Sequence, residues 1–145
     1  MLAAGLPLPA EVIPHRDPFL FLSAVTAVRW GEHAAGYWQP ESDAAFFAGH
    51  FPGRPTVPGV LICESVAQLG AYALLGSPEF SDRLPLFGGI DRVRFRRQVV
   101  PGERLDLEVD LERVSTRGGR GTGRATVDGQ IACVCDLLFV FADSR

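Results

Sequence analysis

Residues 60–75 read "VLICESVAQLGAYALL". Pro58 and Gly59 stand just ahead of the run, where a helix start tolerates both, and Gly76-Ser77-Pro78 closes it. Apolar residues cover almost every face, which predicts a helix buried all round. Ala67, Gly70, Ala71 and Ala73 are small enough to let a sheet approach closely. A helix covered on one side only would not be apolar on all faces. The expected fold class is therefore α+β, a long central helix wrapped by one curved antiparallel sheet of about five to six strands.

The flanks supply that sheet. "FLFLSAVTAVRW" (19–30) is rich in aromatic and β-branched residues and reads as a strand, and "HAAGYWQ" (33–39), beyond a Gly31-Glu32 turn, can pair with it. Glycine and proline dominate residues 49–59, which read as loop. Downstream, "LPLFGGIDRVRFRRQVV" (84–100) alternates over residues 92–96. "RLDLEVDLERV" (104–114) places Leu105, Leu107, Val109 and Leu111 on one face. "GRATV" and "QIACVCDLLFVFA" flank Asp128-Gly129, a hairpin signal. "PAEVIP" reads as a short helix ending before Pro14, and "GGRGTG" (118–123), which fails the spacing of a nucleotide loop, reads as a turn between strands. No repeat, low-complexity segment or linker divides the chain, so residues 1–145 are expected to form a single domain.

With 47 % hydrophobic residues the chain can bury a real core. A net charge of -3 argues against nucleic acid as a partner, because phosphate binding favours a basic surface. The opening "MLAAGLPLPAEVIP" lacks a basic segment and is interrupted by prolines, so neither a signal peptide nor a membrane span is expected. Cys63, Cys133 and Cys135 make an odd set that does not suit a disulfide scaffold. They read as small buried hydrophobes, Cys133 and Cys135 on one strand face. No second cysteine pair or histidine cluster lies at ligand spacing, so no metal is expected. Together these points lead to the expectation of a soluble cytoplasmic protein.

Three features carry chemistry. Backbone N–H groups at a helix start lack internal partners and hold partial positive charge, and Gly59 and Val60 would aim such donors at a neighbouring oxygen. The competing reading is an ordinary Pro-Gly entry to a helix. Glu64 shares a helix face with Val60 and Gln68 and has only apolar sequence neighbours besides Ser65. Burial there would raise its pKa and let it hold a proton at neutral pH; the alternative is a short solvent-facing stripe. His50 sits in a loop stiffened by glycines and prolines and can act as a base. A base, an acid and a carbonyl polariser suit removal of a proton alpha to a carbonyl with loss of a beta hydroxyl. His15 reads as part of a structural turn, His33 as a surface residue opening a strand. Arg92, Arg94 and Arg96 share a strand face with Arg97 adjacent, either a solvated face or a landing patch for an acidic partner.

The segments "PHRDPFLFL", "FFAGHFPGRPTVPGVLICESVAQ" and "FGGIDRVRFRRQVVPGERLDLEV" resemble the signature blocks of the 3-hydroxyacyl-acyl carrier protein dehydratases of the FabZ type. The resemblance runs from about residue 13 to 142. It implies a hotdog fold and a homodimer in which His50 of one subunit meets Glu64 of the other, with some family members assembling further into a trimer of dimers. It implies syn elimination of water from a (3R)-hydroxyacyl thioester. His50 would take the C2 proton, Glu64 would protonate the departing hydroxyl, and the N–H of Gly59 would polarise the thioester carbonyl. Gln68 would orient Glu64, and Arg92, Arg94, Arg96 and Arg97 would face an acidic acyl carrier protein. No cofactor beyond the substrate's own phosphopantetheine arm is implied. The family usually carries an aromatic residue at Asp17 and Asp-Arg at Ser23-Ala24. The rival readings are a hotdog thioesterase and a non-catalytic acyl-binding subunit.

Overall fold

A computed structural model describes residues 5–144, so the "MLAA" that opens the chain lies outside the described residues. The elements run α1 (Pro9–Val12), β1 (Ala24–Arg29), β2 (His33–Trp38), α2 (Phe46–Gly49), α3 (Gly59–Leu75), β3 (Arg83–Phe95), β4 (Leu105–Ser115), β5 (Gly118–Val127) and β6 (Gln130–Ser144). The strands form one antiparallel sheet in the order β1-β2-β4-β5-β6-β3. The helix α3 carries the chain from β2, beside one edge, to β3 at the other. It touches every strand, so the sheet curls around it as its apolar faces require. Ile62, Val66, Leu69, Tyr72 and Leu74 are buried against Leu105, Val109, Leu137 and Phe139 of the sheet. Each such side chain contributes about 1.5–3 kcal/mol when removed from water.

The expectation of burial all round holds for only part of α3. Every residue from Ser65 to Leu75 is buried, but Val60 in the first turn is 74 % exposed. Beside that turn lies the sheet edge β3, whose Leu86, Phe87, Ile90 and Phe95 are also exposed. Among the described residues, nothing within one chain covers this corner.

Other boundaries differ from the sequence reading for local reasons. Residues 19–23 are not strand. The Phe21 N–H donates to Gln68 Oε1 at 2.7 Å and the Phe19 carbonyl accepts from Gln68 Nε2 at 3.1 Å, so a side chain takes the bonds a neighbouring strand would use. The "GGRGTG" stretch is not a turn but the start of β5. Its glycines make room: a Cβ on Gly123 would lie 2.3 Å from Val66 Cγ1, and one on Gly118 would lie 1.9 Å from the Phe139 carbonyl oxygen. The turn at Asp128-Gly129 is as expected, with φ of 49° and 80° at its two central residues. Strand β3 ends at Phe95, and its register against β6 slips between Asp91 and Arg94. That bulge breaks the alternation expected to put Arg92, Arg94 and Arg96 on one face.

Gly123→Ala will destabilise the fold by about 1–3 kcal/mol, because the added methyl meets a packed helix residue. Gly49→Ala, where an added Cβ meets nothing within 4 Å, will leave stability nearly unchanged. Denaturant midpoints of the two variants test this.

Candidate active site

His50 is placed by a short helix and a tied loop. It caps the C-terminus of α2, with its N–H donating to the Phe47 carbonyl at 3.3 Å. The loop then folds back, so the Thr56 N–H donates to the His50 carbonyl at 2.9 Å and the Val57 N–H to the Val99 carbonyl at 2.8 Å. The His50–Phe51 peptide is cis, and the two rings stack at 4.1 Å. The imidazole Nδ1 lies 2.9 Å from the Thr56 carbonyl oxygen. A carbonyl oxygen only accepts, so Nδ1 carries the hydrogen. In the neutral ring Nε2 then holds the lone pair.

Glu64 lies on the face of α3 that runs from Val60 to Gln68. Exposure falls along it from 74 % at Val60, through 17 % for the Glu64 side chain, to 1 % at Gln68. The solvent-facing stripe is thus excluded. Burial pushes the Glu64 carboxyl above the usual carboxylate range, opposed by a hydrogen bond from Gln68. That bond runs from Gln68 Nε2 to Glu64 Oε2 at 2.9 Å. The amide is not free to flip. Its oxygen accepts from Phe21 N–H and its nitrogen donates to the Phe19 carbonyl, so it can present only N–H to Glu64. Oε2 is therefore the oxygen that accepts from Gln68.

The tip of α3 offers two donors. The N–H groups of Leu61 and Ile62 both point to the Pro58 carbonyl, at 3.0 and 3.2 Å. Those of Gly59 and Val60 have no such partner among the described residues. A Cβ on Gly59 would lie 2.8 Å from the Phe95 ring, so the ring packs against the bare Cα. Its missing side chain seats an aromatic of β3 as well as leaving the helix tip approachable.

Among the described residues, no hydrogen bond or ion pair joins His50 to Glu64 within one chain. An aromatic series, Phe19–Phe21–Trp38–Phe46–Phe47, links the segment held by Gln68 to the helix that ends at His50. His15, expected in a structural turn, has its Nε2 3.6 Å from Glu64 Oε2. Only the fold reveals that contact, because the two residues belong to distant segments. His33, expected at the surface where it opens a strand, is half-buried there with its Nδ1 2.7 Å from Asp110 Oδ1. Of the arginines, Arg92 pairs with Asp136 at 3.2 Å and Arg97 with Glu103 at 2.9 Å, while Arg94 and Arg96 are exposed. Ser23, at a departure from the family pattern, accepts from the Gln39 N–H at 2.9 Å.

The model of the FabA-like domain matches residues 13–136. A 3-hydroxyacyl-[acyl-carrier-protein] dehydratase FabZ from Thermomicrobium roseum is 50 % identical over 133 residues, 92 % of this chain and 89 % of that protein. One from Staphylococcus epidermidis is 45 % identical over 134 residues, 92 % of each. Among solved structures, a chain of the dehydratase heterocomplex ApeI:P from Xenorhabdus doucetiae superposes with a TM-score of 0.81 at 20 % identity, covering 95 % of this chain and 93 % of that one. The fold is thus the hotdog fold of those dehydratases.

A carboxyl whose pKa is raised by burial makes a pH-dependent contribution to stability. Its folded pKa is raised, so the wild-type protein is penalised as pH climbs through that value and not below the ordinary carboxylate range. Glu64→Gln, which keeps an accepting oxygen for Gln68, removes the penalty. Denaturation midpoints will show the variant more stable than wild type at alkaline pH, with the gain vanishing in acid.

Proposed function

This chain belongs to the FabA-like domain family and is a 3-hydroxyacyl-[acyl-carrier-protein] dehydratase of fatty acid biosynthesis, and we propose that His50 and Glu64 are its base and acid. The observation that carries the assignment is the hydrogen-bond setting of the two groups. Nε2 of His50 is the nitrogen left with the lone pair, and Glu64 is a half-buried carboxyl whose pKa burial raises, with Oε2 held by Gln68. A (3R)-hydroxyacyl thioester then reacts in a defined way. Its carbonyl accepts from the N–H groups of Gly59 and Val60, which stabilise charge developing on that oxygen. His50 Nε2 takes the C2 proton and Glu64 Oε1 gives its proton to the C3 hydroxyl, which leaves as water. The products are a trans-2-enoyl thioester, an imidazolium and a carboxylate, and return of a proton from His50 to Glu64 by way of solvent restores the pair. Gln68 is a positioning residue that keeps Oε1 directed to substrate. Only the phosphopantetheine carried by the substrate takes part; no step calls for another cofactor.

We further propose that the site is completed by a second copy of the chain. Support comes from the uncovered corner. A long apolar edge strand invites pairing, and the exposed edge β3 adjoins the exposed first turn of α3. Burying both in a homodimer brings His50 of one copy to Glu64 of the other, and the dimers assemble further into a trimer of dimers. The arginines at 92, 94, 96 and 97 face the acidic carrier protein, with Arg92, Arg94 and Arg96 exposed and Arg97 half-buried. Three free thiols among the described residues accord with work in the reducing cytoplasm.

Incubation with a carrier-linked 3-hydroxyacyl thioester will produce enoyl absorbance without release of free thiol. Release of thiol would instead favour the thioesterase. In Glu64→Gln the enoyl signal will fall by about 10²-fold or more, the scale of a lost general acid. Wild-type rates in that variant would remove Glu64 from the chemistry.

A further inference from the structure

The core holds one cluster of nucleophilic side chains that dehydration does not use. Cys63 of α3 meets Cys133 and Cys135 of β6, and all three are buried free thiols. Their sulfur atoms lie within 4.8 Å of one another, with 3.9 Å between those of Cys63 and Cys133. Sequence spacing shows only the Cys133–Cys135 pair; the fold adds the third sulfur from a segment far away in the chain.

We propose that this three-cysteine cluster is a binding site for a trivalent thiophilic metalloid of the arsenic(III) class. A centre bonded to sulfur at about 2.3 Å sits within a sulfur triangle of up to about 4.0 Å on a side. The Cys63–Cys133 separation already has that size, and the wider bound on the cluster leaves only a small closure to make.

Charge selects the ligand. Arsenous acid exchanges its three hydroxyls for three thiols. Three As–S bonds form, three As–O bonds break, and each thiol proton leaves with a hydroxyl as water. Arsenic stays trivalent and the product is neutral, so no charge is left in the apolar interior. Zinc with three thiolates would bear net negative charge and would seek a fourth ligand. Among the described residues, the cluster contains no carboxylate or imidazole to supply one. Copper(I) with three thiolates would carry still more negative charge.

Cys63 immediately precedes Glu64 on α3. The adduct itself forms whatever reaction the enzyme catalyses.

The full-length protein, reduced and freed of added thiol, is treated with arsenite and weighed intact by native mass spectrometry. The expected product is one arsenic per chain with loss of three hydrogens. Cys133→Ala and Cys135→Ala will each lose that species and give at most a two-sulfur adduct that retains one hydroxyl. Arsenic-edge X-ray absorption of the treated wild-type protein, which needs no variant to fold, will show three sulfur neighbours. Absence of the adduct, an unchanged three-sulfur adduct in Cys133→Ala, or fewer than three sulfurs around arsenic would overturn the proposal.

Discussion

A helix that is apolar on every face has to be covered on every face, and most of this structure follows from that constraint. One flat sheet cannot do it, so the sheet curls until all its strands reach α3. Close wrapping demands small residues at the contacts. Gly123 meets Val66, and Gly70 meets the Phe139 ring, so these glycines serve packing rather than turns. Among the described residues, the covering fails at the first turn of α3 and the adjoining edge β3. A single chain leaves its functional corner and its apolar edge open together, which is the physical ground for a second copy.

Within that envelope, one polar residue organises the site. Gln68 is buried, and its amide is fully engaged by Phe19, Phe21 and Glu64. A buried amide with unmade bonds costs about 1–3 kcal/mol, so its satisfaction fixes both the segment before β1 and the acid. The same arrangement sets the chemistry. Burial raises the carboxyl pKa, while the amide donor restrains the rise and engages Oε2. Stability and acidity are here two results of one set of contacts, because the burial that raises the carboxyl's pKa also makes it cost stability as pH rises.

The sequence made the architecture legible because its strongest signal was long and unambiguous: an apolar run framed by Pro58-Gly59 and Gly76-Ser77-Pro78. Clean alternation in residues 105–111 and the Asp128-Gly129 turn were similarly readable. Failures occurred where a long-range contact overrode a local one. Residues 19–23 have strand composition, but a distant side chain holds their backbone. Glycine in "GGRGTG" reads locally as turn, whereas the strand needs it to admit a helix. His50, Glu64 and Gln68 were visible through their unusual settings. His15 and the third member of the cysteine cluster were not, since each depends on contacts between distant segments.

The claim that two copies build each site is tested most directly by mixing two inactive variants. His50→Ala and Glu64→Gln are unfolded together, refolded at equal concentration, and assayed with a carrier-linked 3-hydroxyacyl thioester. If the groups come from different subunits, each mixed dimer holds one intact site, and random pairing restores about a quarter of wild-type turnover. If the mixture exchanges subunits and stays as inactive as its components, base and acid do not meet across an interface, and a site shared between two copies is ruled out.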